Sequence, residues 1–169
     1  MKLYKFKAEH ISRLISIKQQ FSDNQRIAEI VDNHLLPKLQ HLRAMDLADY
    51  IFTLYLASRE FNVFEELIPS EETVDHLIKQ KNKLYYLKAK YLARLMKLRK
   101  ELKQRFRDKA DRIENIVFDI ASRLHLLRRD GLTDYMFSAT LACREFSEFC
   151  ALVPSEQEIK QLFVVPEEG

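Results

Sequence analysis

The sequence predicts an all-α protein, a helical bundle made by tandem duplication of a unit of roughly 80 residues. Three observations predict it. Glycine and proline number only two and four in 169 residues, far below the breaker density that turn-rich β folds need. Apolar residues recur at spacings of three and four, the helical period. Blocks of the first half also return in order in the second, which is the mark of a repeated unit. With 47% apolar residues the chain can bury a core, and a single compact domain over residues 1–169 is expected.

The repeat is read residue by residue. Tyr4-Lys5-Phe6-Lys7-Ala8 and Ile11-Ser12-Arg13-Leu14 match Tyr85-Tyr86-Leu87-Lys88-Ala89 and Leu92-Ala93-Arg94-Leu95 at an offset of 81. Ile27 and Ile30-Val31 match Ile113 and Ile116-Val117 at 86. Asp49-Tyr50-x-Phe52, Leu56-Ala57-x-Arg59-Glu60-Phe61 and Pro69-Ser70-Glu71 match Asp134-Tyr135-x-Phe137, Leu141-Ala142-x-Arg144-Glu145-Phe146 and Pro154-Ser155-Glu156 at 85. The copies therefore span 1–79 and 82–163, with a tail over 164–169, and a pseudo-twofold relation between them is expected.

Each copy reads as three main helices and a short fourth. In the first, Phe6, Ile11, Leu14, Ile15 and Ile17 form a helical stripe that ends near Phe21. Ser22 or Asp23 can cap the second, which runs from about Asn24 to Arg43 and is kinked or restarted at Pro37, where an intrahelical donor is missing. Its counterpart, 112–129, has Ser122 near the matching place and should be straighter, with Gly131 ending it as a C-terminal glycine. Asp46 can cap the third helix of the first copy. That helix is apolar nearly all round, so it and its twin should sit centrally and pack on each other. Ser70 and Ser155 read as N-caps of the short helices, and Ser155-x-x-Glu158 completes a capping box. Between Ser70 and Asp130 there is no glycine or proline. One continuous helix over 71–106, about 54 Å long, or a bend at Lys81-Asn82-Lys83, follows.

Charge is distributed unevenly. Residues 79–112 hold 14 basic side chains against three acidic ones, a net of +11 in a chain whose total is only +3. Leu84, Leu87, Tyr91, Leu95, Leu98, Leu102 and Phe106 form one apolar stripe there, leaving the bases to cover the rest of an amphipathic helix. Lys88, Lys90, Arg94, Lys97, Arg99, Lys100, Lys103 and Arg107 are the candidate binding residues. Such a surface suits an acidic protein partner, or phosphates of a nucleic acid; the bland alternative is a solvated face partly paired with the acidic remainder of the chain. Helix-turn-helix, zinc and RNP signatures are absent.

Catalytic and metal patterns are missing as well. Asp49 and Glu60, and likewise Asp134 and Glu145, lie eleven residues apart, about 16 Å along one helix, too far to chelate one ion. Structural pairing with Arg13 and Arg94, or with Arg59 and Arg144, is expected instead. The histidines His10, His34, His41, His76 and His125 show no ligand or triad spacing. Cys143 and Cys150, about 10 Å apart if on one helix, cannot bridge there and read as buried small hydrophobes in a reducing compartment. No stretch approaches about 18 apolar residues and no signal-peptide run opens the chain. A cytoplasmic, non-enzymatic interaction or adaptor protein that docks an acidic partner through the basic helix is therefore expected, without cofactor or metal; nucleic-acid binding by the same helix is the alternative.

Overall fold

The computed structural model describes residues 2–78 and 83–163. Among them every regular element is helical, with nine α-helices joined by short 3-10 and π turns. The expected bend residues Lys81 and Asn82, the bases Lys79 and Lys81, and the tail over 164–169 lie outside the described residues.

Helix α1 (Lys2–Gln20) buries Phe6, His10, Leu14 and Ile17, a stripe at spacings of four, four and three. His10 takes a place in that stripe, and Ile15 of the expected stripe is exposed. The His10 ring can be buried because its Nδ1 lies 2.8 Å from the Tyr50 hydroxyl. Burial, reinforced by the Arg13 charge, holds its pKa down to about 4, so the ring is neutral at pH 7.

The second helical stretch is broken as a proline requires. It comprises α2 (Gln25–Ile30), a π turn (Val31–Leu35) and α3 (Leu36–Gln40). Pro37 has no N–H and its ring crowds the carbonyl one turn back; the chain answers by widening, with Leu36 N–H bonded to the Val31 carbonyl. The cap of α2 is Asn24, whose side chain accepts from the Ile27 N–H at 3.2 Å, rather than Ser22 or Asp23. Asp46 does not cap the next helix either. Its carboxylate accepts from the backbone N–H and Nε of Arg43, stabilising a 3-10 turn (Ala44–Asp46).

Helix α4 (Leu47–Glu60) ends where Phe61 turns extended, at φ −138° and ψ 112°. A 3-10 turn (Asn62–Leu67) then folds back to bury Phe64, and Ser70 caps α5 (Glu71–Leu77). The single helix over 71–106 does not form. Ile78 leaves the helical conformation and is buried, Lys83 is extended, and α6 (Leu84–Arg105) starts anew. After a 3-10 turn (Arg107–Lys109), α7 (Ala110–His125) runs unbroken because no proline interrupts it. Gly131 does not end α7. It closes the following 3-10 turn (Arg129–Gly131) at φ −99°, a conformation open to any residue, and leads into α8 (Leu132–Glu145). Phe146 again turns extended, a 3-10 turn (Ser147–Leu152) buries Phe149, and the Ser155 to Glu158 capping box opens α9 (Glu156–Leu162).

That second turn brings Cys143 and Cys150 together as a disulfide, with Cα atoms 4.9 Å apart. The helix-based distance of 10 Å fails because the helix stops at Glu145, between them. Cys150 is exposed and Cys143 half-buried, so the expectation that both are buried small hydrophobes is corrected.

The buried apolar side chains of both halves form one cluster. Its central element is α6, which buries residues over most of its circumference, and its main neighbours are α4, α5 and α7. Sequence pattern places α4 and its twin at the centre; instead α4 packs on α6 and α7, while α8 leaves Phe137 63% exposed.

Three pairs of bonds occur at the sequence offsets. Arg26 Nη2 donates to Glu60 Oε1 at 2.9 Å and Arg112 donates to Glu145. Arg13 donates to the Glu66 carbonyl at 3.2 Å and Arg94 to the Ala151 carbonyl at 2.7 Å. Lys38 pairs with Asp49 at 2.6 Å and Arg123 with Asp134 at 2.5 Å. The expected partners of these carboxylates, Arg13 with Arg94 and Arg59 with Arg144, are therefore corrected. Glu60 and Glu145 are each held below the usual carboxylate range by the guanidinium hydrogen bond. Arg59 lies over the Phe118 ring at 4.5 Å and 3.9 Å from Glu114, and Arg144 is exposed.

Candidate docking groove beside the central basic helix

An open groove of about 880 Å³ lies between α6 and the segment that leads from the Asn62–Leu67 turn into α5. Ala93, Met96, Ile68 and Pro69 supply its apolar lining. One wall is basic, with Lys97, Arg99, Lys100 and Lys103; the other is acidic, with Glu65, Glu66, Glu71 and Glu72. The basic wall follows from helix geometry, since residues three and four apart share a face. The acidic wall comes from a turn and a helix start, where carboxylates favour the unsatisfied N–H groups of α5.

The eight candidate binding residues separate into distinct roles. Arg99 is buried, with its side chain 7% exposed. Its Nε donates to Glu114 Oε1 at 2.9 Å and its Nη1 to Ser58 Oγ at 3.2 Å, with Glu65 at 3.8 Å. Lys103 donates to the same Glu114 oxygen at 2.9 Å, and the Tyr55 hydroxyl to the other at 2.9 Å. Burial alone raises the Glu114 pKa, but the Lys103 bond and the Arg99 charge outweigh it and hold the carboxyl below its ordinary range. Arg94 grips Glu71 through Nε and Nη2 and stacks over the Tyr91 ring at 4.6 Å. Three of the eight are thus internal cross-ties between α6 and its neighbours, and the expected amphipathic surface helix is corrected to a largely buried one. A guanidinium on a long apolar stem can enter a core when carboxylates meet it there.

Lys88 is half-buried within electrostatic reach of Asp49, and burial pulls its pKa down. Lys90 lies over the Tyr86 ring at 5.6 Å. Arg107 is exposed at the far end of α6. Lys97 and Lys100 are exposed on the groove wall, and among the described residues no carboxylate pairs with either. They face Glu66 and Glu72 on the exposed opposite wall. Glu66 and Glu72 are not among the candidate residues taken from the basic run; they belong to a separate segment, 60–75, that holds six acidic side chains and no lysine or arginine.

Among the described residues no group of three or more His, Cys, Asp or Glu side chains is placed to hold a metal ion, and no helix is long and apolar enough to cross a membrane. Comparison with protein-family models, with curated proteins and with solved structures finds no match to this chain.

Proposed function

We propose that the protein is a non-enzymatic adaptor, a single domain of two copies of one helical unit, that docks a partner segment along this groove with the partner's acidic side toward Lys97 and Lys100. The observation that carries the reading is the exposure of these two lysines, unpaired among the described residues, at the lip of an apolar-lined channel whose other bases are already satisfied. Met96 in the lining suits a docking site, since its flexible thioether adapts to varied side chains. Glu66 and Glu72 opposite favour a partner that carries bases on its other edge, which gives the contact a direction.

The two-copy reading is supported by the matched bonds, by equal 14-residue lengths of α4 and α8, and by the near-identical extended conformations of Phe61 and Phe146. The packing of α4 on α6 favours a stacked relation between the copies over the pseudo-twofold expected from sequence. Nucleic-acid binding has weaker support. Arg94, Arg99 and Lys103 already face carboxylates, and a phosphate backbone in the groove would meet Glu66 and Glu72.

Reversing both exposed charges, Lys97→Glu with Lys100→Glu, is expected to reduce capture of the partner by the full chain at least tenfold and to leave the thermal midpoint unchanged, since neither side chain is tied down. Undiminished capture overturns the groove reading. Tight binding of a fluorescent duplex or single strand at about 50 mM salt, abolished by the same substitutions, points to phosphates instead.

A further inference from the structure

The junction in the middle of the chain has two sides, and each has a counterpart that is left open. On α4, Ala48, Ile51, Tyr55 and Ser58 form one buried stripe against the second half. The equivalent positions on α8, 85 residues later, are Thr133, Met136, Thr140 and Cys143, and none of them is buried. Phe52 stacks on His125 at 4.2 Å; its equivalent Phe137 is 63% exposed. On the other side, α6 buries Ala89, Ala93 and Met96. Their equivalents on α1, Ala8, Ser12 and Ile15, are all exposed, with Tyr4 beside them at 68%.

Charge follows the same pattern. Asp49 at the junction is met by Lys38 at 2.6 Å, by His125 Nε2 at 3.6 Å, and by the charge of Lys88. Asp134, its equivalent, is met by Arg123, the equivalent of Lys38, and its side chain is still 74% exposed. Lys7, the equivalent of Lys88, lies on α1 beside the open face.

We propose that copies of this chain associate head to tail, the exposed α1 face of one copy seating on the exposed α8 face of the next, with Lys7 of one meeting Asp134 of the other. The inference rests on the two-copy reading above, because only equivalent positions make the inner junction a template for the outer one. Unlike faces meet, so the contact is heterologous and does not close on itself; assembly is open-ended and grows with concentration.

Light scattering on the full chain tests this. The wild type is expected to exceed the mass of two chains as concentration rises. Ile15→Arg blocks the α1 face and Phe137→Arg the α8 face; both side chains are exposed, so both variants fold, which circular dichroism checks. Each alone is expected to stay at the 20.1 kDa of one chain. Mixed in equal amounts, the intact α8 face of the first takes the intact α1 face of the second, and the mass stops at two chains. A wild type that remains a single chain up to about 1 mM overturns the proposal. So does a mixture that stays monomeric while the wild type associates, and so does an Ile15→Arg variant that still dimerises, which marks a symmetric α8 contact. None of these outcomes alters Lys97, Lys100 or the equivalence of positions within one chain, so the docking and two-copy readings are judged separately.

Discussion

Replacing Phe64 or Phe149 by alanine is expected to remove about 3–5 kcal/mol of folding stability in either case, measured by urea unfolding. Both rings are fully buried, at 0% exposure. Each is carried by a 3-10 turn pinned at its start by an extended phenylalanine and at its end by a buried leucine, Leu67 or Leu152. Such a turn cannot move inward to fill the cavity, so little of the lost contact is recovered. Phe149 also meets the Phe146 ring edge-on at 6.2 Å. Against the total stability of about 5–15 kcal/mol usual for a domain, either loss leaves a marginal fold. Phe137→Ala, on the open side of α8, should change stability by less than about 0.5 kcal/mol. A loss below about 1 kcal/mol at Phe64 or Phe149 would contradict the buried placement of these turns.

The second large effect is expected at Glu114. Substitution by glutamine leaves the buried Arg99 guanidinium with only Glu65, 3.8 Å away, as an acidic neighbour among the described residues. It also turns the acceptor shared by Arg99, Lys103 and the Tyr55 hydroxyl into a neutral amide. Removing one partner of a buried ion pair costs about 3 kcal/mol or more, because the remaining charge stays desolvated. Adding Arg99→Met to Glu114→Gln should recover most of the loss, since an apolar side chain of similar length no longer needs a counter-charge. Lys103, half-exposed, can swing to solvent. If the single substitution is neutral, the cross-tie between α4, α6 and α7 is not the structural device described.

The local features of the fold were legible in sequence because their causes are local. Ser155 and Glu158 lie three residues apart and satisfy each other's backbone. Pro37 disrupts its own turn whatever surrounds it. Features set by a partner far along the chain were not legible. Asp49 and Glu60 repeat visibly, yet their partners Lys38 and Arg26 sit in the second helical stretch, where the register shift and an arginine at 123 in place of lysine hide the correspondence. The disulfide depends on the helix stopping at Glu145, which only the extended Phe146 reveals.

The candidate site divided in the same way. A run of bases was plain, but which bases were free depended on Glu65, Glu71 and Glu114, contributed by three separate segments. The exposed pair Lys97 and Lys100 could be separated from the buried Arg99 between them only by knowing which side α4 and α7 occupy. A helix with ten buried positions out of 22 looks amphipathic in sequence because arginine and lysine stems hide in the count of charges.

Spin-label distances within one chain test the proposed equivalence of the two halves most directly. Labels at Met45 and Glu66, and in a second sample at Asp130 and Ala151, occupy exposed positions that are matched at the offset of 85. With Cys143 and Cys150 replaced by serine, pulsed electron resonance should return the same mean distance for both pairs. Means that differ by more than about one helical turn, ~5 Å, would show that the two segments do not share a backbone.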